Sequence, residues 1–243
     1  MTRANLLPQR LARTGGLLYL LIIVFGVAGE AAIRGRLIAS DAGQTAANVL
    51  SAELWFRLSI LGDVLMVLAD VALGVVLCAL LSPVDRVLSI AAMAFRLAQA
   101  AVLGLNLVHL EQAVTLAHDA ALHAPTRDQL VVAALDAHAA GYDLGLFFFA
   151  VSCLLVGYLL ARSRLVPRVI AVGSVAAGLV YAVGSTLRLV APDLSVAFAP
   201  AYGIPLAAEV AMCGWLLVKG VDGARWSGAL GSVAQGQRTS RDP

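Results

Sequence analysis

Apolar runs long enough to cross a lipid bilayer recur six times in this chain of 243 residues. A helix needs roughly 20 mostly apolar residues to cross the hydrocarbon core, where its backbone polar groups bond within the helix itself. The sequence therefore predicts an all-α, polytopic membrane bundle of six transmembrane helices. The six predicted spans are 14–33, 54–81, 87–117, 129–161, 168–190 and 199–218.

The composition excludes a protein surrounded by water. Only 13% of the residues are charged and 60% are hydrophobic, whereas a soluble domain carries roughly 25% charged residues. The lipid bilayer is therefore the expected partner of most of the surface. A net charge of +2, without basic and aromatic residues interleaved, argues against a nucleic-acid partner. Because phosphate-loop and zinc spacings are absent, we expect no cofactor and no metal.

Three regions follow from this pattern: an N-terminal segment 1–13, a transmembrane domain 14–221 and a C-terminal tail 222–243. The tail is rich in Gly, Ser, Gln and Arg, a composition typical of disorder. In the connection after the first span, we expect Ser40 or Asp41 to cap a short surface helix.

The distribution of basic residues predicts the direction of the spans. Eleven of the 17 Lys and Arg residues fall on the side of the two termini, and five fall on the other side. Loops rich in Lys and Arg stay in the cytoplasm. We therefore expect a multi-pass protein of the inner (plasma) membrane with both termini cytoplasmic.

Several ionisable residues interrupt the apolar runs at similar depths. An ionisable side chain at the bilayer centre costs at least ~2.5–3.5 kcal/mol, so such groups turn inward and find partners. Asp70, Arg96 and Glu209 lie 9 to 11 residues from the same end of their spans, which is roughly 14–17 Å at 1.5 Å per residue. Because the second and third spans form a tight hairpin, we expect Asp70 to face Arg96.

A second polar layer is expected nearer the opposite side, at Asp63, Asn106 and Asp143. Arg96 is the only basic residue that the pattern places deep in a span, against five carboxylates in the spans. One cation cannot neutralise them all, so at least one is expected to carry a proton or bind a cation. The predicted buried polar core, and ligand site, consists of Asp63, Asp70, Arg96, Gln99, Asn106, Asp143, Tyr181 and Glu209.

The chain also resembles a family of bacterial membrane proteins known as domain of unknown function 4386. The resemblance rests on "DAGQTAANVLSAELWFRLSILGD" at 41–63, "FRLAQAAVLGLN" at 95–106, "GLFFFAVSCLLVGYLLARSRLVPRVI" at 145–170 and "AAEVAMCGWLLVKGV" at 207–221. It implies a multi-pass bacterial membrane protein. It implies no activity, and no catalytic residue is transferred from it.

Three classes of function fit these residues. The first is a transporter-like protein for a small solute or ion, coupled to protons through the buried carboxylates. The second is a structural or assembly protein whose buried ion pairs specify helix packing. The third is an intramembrane enzyme acting on a lipid or polyprenyl substrate, for which only the scattered His109, His138 and Asp143 are available. The acidic excess favours the first class, and no catalytic residue is assigned.

Overall fold

The computed structural model describes residues 6–229, and within that range the chain is a bundle of α-helices without β-strands. Six helical segments have the length and hydropathy to cross a membrane. They match the six predicted spans, so the protein is a multi-pass membrane protein. Spans 1 to 6, in chain order, are Leu6–Leu37, Glu53–Leu81, Arg86–Ala117, Ala124–Ser163, Arg168–Val190 and Pro192–Val218.

Three of the six spans are irregular in their interior. Span 1 consists of the α-helix Leu6–Val27, a π-helical segment Ala28–Arg34 and a last turn Gly35–Leu37. Span 3 is interrupted at Leu107, between helices Arg86–Asn106 and Val108–Ala117. Span 6 joins Pro192–Phe198, a 3-10 turn Ala199–Tyr202 and the helix Gly203–Val218. Such departures from α-helical geometry inside a helix are frequent at functional sites.

A short helix, Ala42–Ser51, follows span 1. Its N-cap is Asp41, whose Oδ2 accepts a hydrogen bond from the Gln44 backbone N–H at 2.8 Å. Of the two predicted caps, the structure selects Asp41, since its carboxylate satisfies a backbone donor in the first turn.

The described helices extend beyond both ends of the predicted transmembrane domain 14–221. The first helix covers Leu6–Val27. Residues 223–229 are helical and the Trp226 side chain is buried, so the predicted disorder of the tail does not hold there. The Trp226 indole Nε1 donates to the Leu80 carbonyl at 3.0 Å. The rest of that prediction, at 230–243, lies outside the described residues.

The six spans form a closed ring. Each span packs on the next one along the chain, and span 1 also packs on span 6. Spans 4 and 5 approach closely, since a Cβ atom on Gly157 would lie 2.9 Å from the Val175 backbone nitrogen. On span 5, a Cβ on Gly178 would similarly lie 2.8 Å from the Ala150 carbonyl oxygen.

Two apolar clusters occupy opposite ends of this ring. At the terminal end, where span 1 starts and span 6 stops, a cluster that includes Leu73, Leu80, Leu160 and Leu216 fills the interior. At the distal end, a second cluster packs span 3 and span 4 against the helix Ala42–Ser51, around Val49 and Leu110. The predicted polar residues lie on the spans between these clusters.

Candidate functional site

A cavity of about 460 Å³ lies inside the ring, and all six spans contribute to its wall. Its volume is within the range of small-molecule sites, roughly 300–1,000 Å³. Three of its polar lining residues, Asp70, Gln99 and Glu209, are together called the floor. It reaches the exposed surface at three of its lining residues, which we call the mouth: Glu30, Ile38 and Arg188.

Asp70 of span 2 and Arg96 of span 3 form an ion pair at the floor. The Arg96 Nη2 donates to the Asp70 Oδ1 at 2.5 Å, and both side chains are buried. The guanidinium also lies over the Phe149 ring, 4.9 Å from its centroid, and 5.5 Å from that of Tyr19. Aromatic faces attract a cation, so Arg96 is held on three sides.

Two acceptor atoms of the floor have no hydrogen-bond partner in the structure: the second carboxylate oxygen of Asp70, Oδ2, and the Gln99 Oε1. Both residues line the cavity and both are more than nine-tenths buried. A buried acceptor left unsatisfied costs roughly 1–3 kcal/mol. Both oxygens are therefore free to accept a hydrogen bond from a donor inside the cavity.

Glu209 of span 6 is the third acidic or amide group of the floor. Its Oε1 accepts a hydrogen bond from the Tyr181 hydroxyl of span 5 at 2.8 Å. Among residues 6–229, no basic side chain forms an ion pair with it. Glu209 is therefore the floor carboxyl group without a guanidinium partner.

Arg34 of span 1 holds the wall near the mouth. Its Nη1 donates to the Asp63 Oδ2 at 2.7 Å and to the Ser59 hydroxyl at 3.1 Å. Its Nη2 also lies 3.0 Å from the Glu30 carboxylate. The π-helical segment that carries both Glu30 and Arg34 keeps the four-residue spacing on one face and turns Arg34 inward.

A second ion pair lies on the opposite wall, between Arg188 of span 5 and Asp143 of span 4. The Arg188 Nε is 2.7 Å from the Asp143 Oδ2. The Arg188 side chain is 48% exposed and that of Asp143 is 17% exposed, so this pair stands where the cavity meets the surface.

Asn106 of span 3 and His138 of span 4 form a polar contact at the side of the cavity. The Asn106 Nδ2 donates to the His138 carbonyl at 2.7 Å and lies 3.1 Å from the ring Nδ1. A Cβ on Gly141 would collide with the Asn106 side chain, so this glycine lets spans 3 and 4 make the contact. The amide is satisfied by the protein itself and plays a packing role.

Aromatic rings form a wall from the floor to the mouth. The centroids of Phe149 and Tyr181 are 5.2 Å apart, and those of Tyr181 and Tyr202 are 6.0 Å apart. Tyr142 lines the same cavity. The wall also has aliphatic side chains, among them Ile22, Met66, Val67, Leu103, Leu135 and Leu146.

The structure brings most of the predicted polar core to this one cavity. Arg96 and Asn106 do not line the cavity; Arg96 borders a separate void of about 10 Å³ and reaches the floor through Asp70. The predicted residues on the cavity wall are Asp63, Asp70, Gln99, Asp143, Tyr181 and Glu209.

The expectation that one cation stands against five carboxylates is wrong. Arg34 is 4% exposed and pairs with Asp63 and Glu30, and Arg188 pairs with Asp143. The predicted first span stopped at residue 33, because the apolar run stops there, whereas the helix continues to Leu37. The four-residue spacing of Glu30 and Arg34 is the signal that could have found this pair.

The histidines do not assemble a metal centre in the part of the chain that the structure describes. His138 lines the cavity and His109 does not. Among residues 6–229, no three His, Cys, Asp or Glu side chains form a group that could hold a metal ion. His138 instead bonds to Asn106.

The closed ring of spans defines a class: a polytopic helical membrane protein, here with a cavity between its helices. The chain belongs to the family described as Domain of unknown function (DUF4386), whose model matches residues 14–220. This confirms the resemblance drawn from the sequence. No curated protein and no solved structure matches the chain.

Proposed function

We propose that the protein is a transporter-like membrane protein for a small solute or ion, with the cavity as its solute site and Glu209 as its proton-coupling group. The observation that carries this is the floor. Asp70 Oδ2 and Gln99 Oε1 are buried acceptors without partners, and they lie at the end of a cavity of about 460 Å³. Ionisable residues inside a membrane bundle mark substrate and ion pathways.

The shape of the bundle supports the same proposal. The apolar cluster at the terminal end lies between the floor and that end of the ring, while the mouth carries exposed charged groups. This is the arrangement of a carrier that is open on one side only. Alternating access would require the terminal end to open as the distal end closes.

Glu209 has the chemistry that proton coupling needs. A carboxyl group that no guanidinium holds ionised can exchange a proton, and its charge then decides whether a cation is held beside it. Tyr181 keeps the carboxyl oriented through a hydrogen bond of 2.8 Å. Asp63 and Asp143 each have an arginine partner and are assigned to holding the walls, whereas Asp70 bonds to Arg96 through Oδ1 and keeps Oδ2 for the solute.

The orientation proposed is that both termini are cytoplasmic, in an inner (plasma) membrane. The bias of basic residues supports it, and it makes the mouth face away from the cytoplasm. A reporter fused after Lys219 is expected to be active in the cytoplasm, and activity only on the opposite side would refute this orientation.

The test is solute-dependent proton movement in liposomes that hold the purified protein and a trapped pH-sensitive dye. Sugars, amino acids, carboxylates and amines are added outside as four separate panels. One panel is expected to change the internal pH with the wild-type protein. Glu209→Gln should abolish that change, since the amide keeps the Tyr181 bond but cannot carry a proton.

Asp136→Asn is the matched control, because Asp136 is an exposed carboxylate of span 4 that does not line the cavity. It is expected to behave as wild type. If no panel moves protons or enters the liposomes with wild-type protein that is folded and inserted, the transporter proposal is wrong.

A structural role is a second proposal, and the Arg96–Asp70 pair is the observation that favours it. The pair joins spans 2 and 3 and is fully enclosed, as expected of a device that specifies helix pairing. The same liposome experiment separates the two proposals, because a purely structural protein moves no solute.

A further inference from the structure

We infer that the cavity selects a small monovalent organic cation: an ammonium group attached to an apolar or aromatic body. This inference rests on the proposed function and names the class of its solute. Four features of the cavity carry it: the charge of the floor, its unpartnered acceptors, the aromatic wall, and the pairing of every arginine near the cavity.

The floor has one carboxylate more than it has cations. Asp70 and Glu209 are acidic and only Arg96 is basic, and the Arg96 Nη2 is already bonded to Asp70. With both carboxylates ionised, the floor carries one net negative charge. One monovalent cation beside Glu209 would neutralise it, and low-dielectric surroundings make such neutralisation strong.

Two enclosed atoms of the floor without a partner are oxygens. Asp70 Oδ2 and Gln99 Oε1 both accept hydrogen bonds, and an ammonium group offers up to three donors. An anionic solute would meet the carboxylates of Asp70 and Glu209 at the same place. The third unpartnered atom of this region, Arg96 Nε, belongs to a side chain outside the cavity lining.

The other arginines near the cavity are occupied as well. Arg34 is bonded to Asp63 and Glu30, and Arg188 to Asp143. Their positive charges are therefore compensated, and neither offers a free guanidinium to a carboxylate or phosphate solute.

The walls and the volume favour an organic cation over a bare ion. A cavity of about 460 Å³ is far larger than one ion needs, and much of its lining is aliphatic or aromatic. No metal-binding group of three side chains occurs in residues 6–229. The rings of Tyr142 and Tyr181 line the cavity, and an aromatic face attracts a cation within about 6 Å of the ring centroid.

The test uses three benzyl probes of similar size and different charge: benzylammonium, benzyl alcohol and phenylacetate. Binding to the full chain in lipid nanodiscs is measured by the shift of its thermal unfolding with probe concentration. Benzylammonium is expected to bind at least about tenfold more tightly than benzyl alcohol, and phenylacetate more weakly than either. Glu209→Gln should remove most of the preference for the cation, whereas Asp136→Asn should keep it.

A second measurement does not depend on how Glu209→Gln folds. Met66 lines the cavity, so a thiol-reactive label is expected to modify Met66→Cys, with peptide mass spectrometry separating this site from the native cysteines. Benzylammonium should slow that reaction several-fold and phenylacetate should not. Equal protection by all three probes, or none by benzylammonium, would overturn the inference.

The binding results test the class of solute, whereas the liposome experiment tests whether the protein transports a solute at all. Tighter binding of the neutral or anionic probe refutes the organic cation while leaving a solute site in place. Absence of binding by all three probes also refutes it, and the liposome panels then decide independently whether the protein moves any solute.

Discussion

The two halves of the bundle are held together by different interactions. The terminal half is filled by leucines such as Leu73, Leu80 and Leu160, each 0–1% exposed, and Trp226 covers its end. The distal half keeps a cavity open and holds its walls with the Arg34–Asp63 and Arg188–Asp143 ion pairs. Because no water is present to drive apolar association in lipid, helices associate there by close packing and polar contacts.

This difference teaches where the molecule can change shape. A close-packed interior transmits strain and tolerates little volume change, whereas ion pairs around a cavity can exchange partners without leaving a void. We therefore expect rigidity at the terminal end and adaptability at the mouth. The Arg96–Asp70 pair stands at the boundary, where the packed half meets the cavity floor.

The largest loss of stability on substitution is expected at that boundary. Arg96→Leu leaves the Asp70 carboxylate buried without a cation, which should cost about 3–5 kcal/mol of stability. The double variant Arg96→Leu/Asp70→Leu should lose much less, because an apolar pair of similar volume can replace a buried ion pair almost neutrally. Thermal unfolding in detergent measures both. Equal losses would show that the two residues are not coupled.

An intermediate loss of stability is expected on substitution where spans 4 and 5 are in contact. The added methyl group of Gly157→Ala would lie 2.9 Å from the Val175 nitrogen and 3.0 Å from the Ala171 carbonyl oxygen, and neither backbone atom can move alone. Overpacking of this kind costs typically about 1–3 kcal/mol. The loss should appear as a lower unfolding temperature.

Gly214→Ala is the matched control for this prediction. Gly214 is also in a span, but nothing lies within 4 Å of its added Cβ, and alanine is the better helix former by about 1 kcal/mol. This variant should be as stable as wild type or more stable. If Gly157→Ala were as stable as wild type while Gly214→Ala were less stable, spans 4 and 5 would not be in close contact at Gly157.

The contrast between the halves also explains what the sequence could and could not predict. Six spans follow from run length alone, since the bilayer thickness sets the minimum number of apolar residues. The Asp70–Arg96 pair also follows, because matched depth on two helices of a tight hairpin leaves the partners few alternatives. The structure bears out that facing geometry with an N–O distance of 2.5 Å.

The mouth could not be predicted in the same way. Arg34 and Arg188 lie at the ends of apolar runs, where a basic residue is normally interfacial, and hydropathy carries no information about which way it turns. The inward turn of Arg34 depends on a π-helical segment at Ala28–Arg34. The aromatic wall likewise needs three spans in register, which requires knowledge of how the ring of helices closes.

The smallest effect is expected at the mouth, where Arg34 has two carboxylate partners of different burial. Asp63 is enclosed, with 5% of its side chain exposed, whereas that of Glu30 is 69% exposed. Glu30→Gln should therefore cost less than about 1 kcal/mol, as exposed ion pairs do, and the loss should shrink further in high salt. Asp63→Asn should cost clearly more and be insensitive to salt, because it removes the charge opposite a buried guanidinium.

The thermal unfolding of both variants at low and high salt measures the difference between them. Equal and salt-dependent losses would mean that the two carboxylates are interchangeable, and that the mouth is held by surface electrostatics rather than by an enclosed pair.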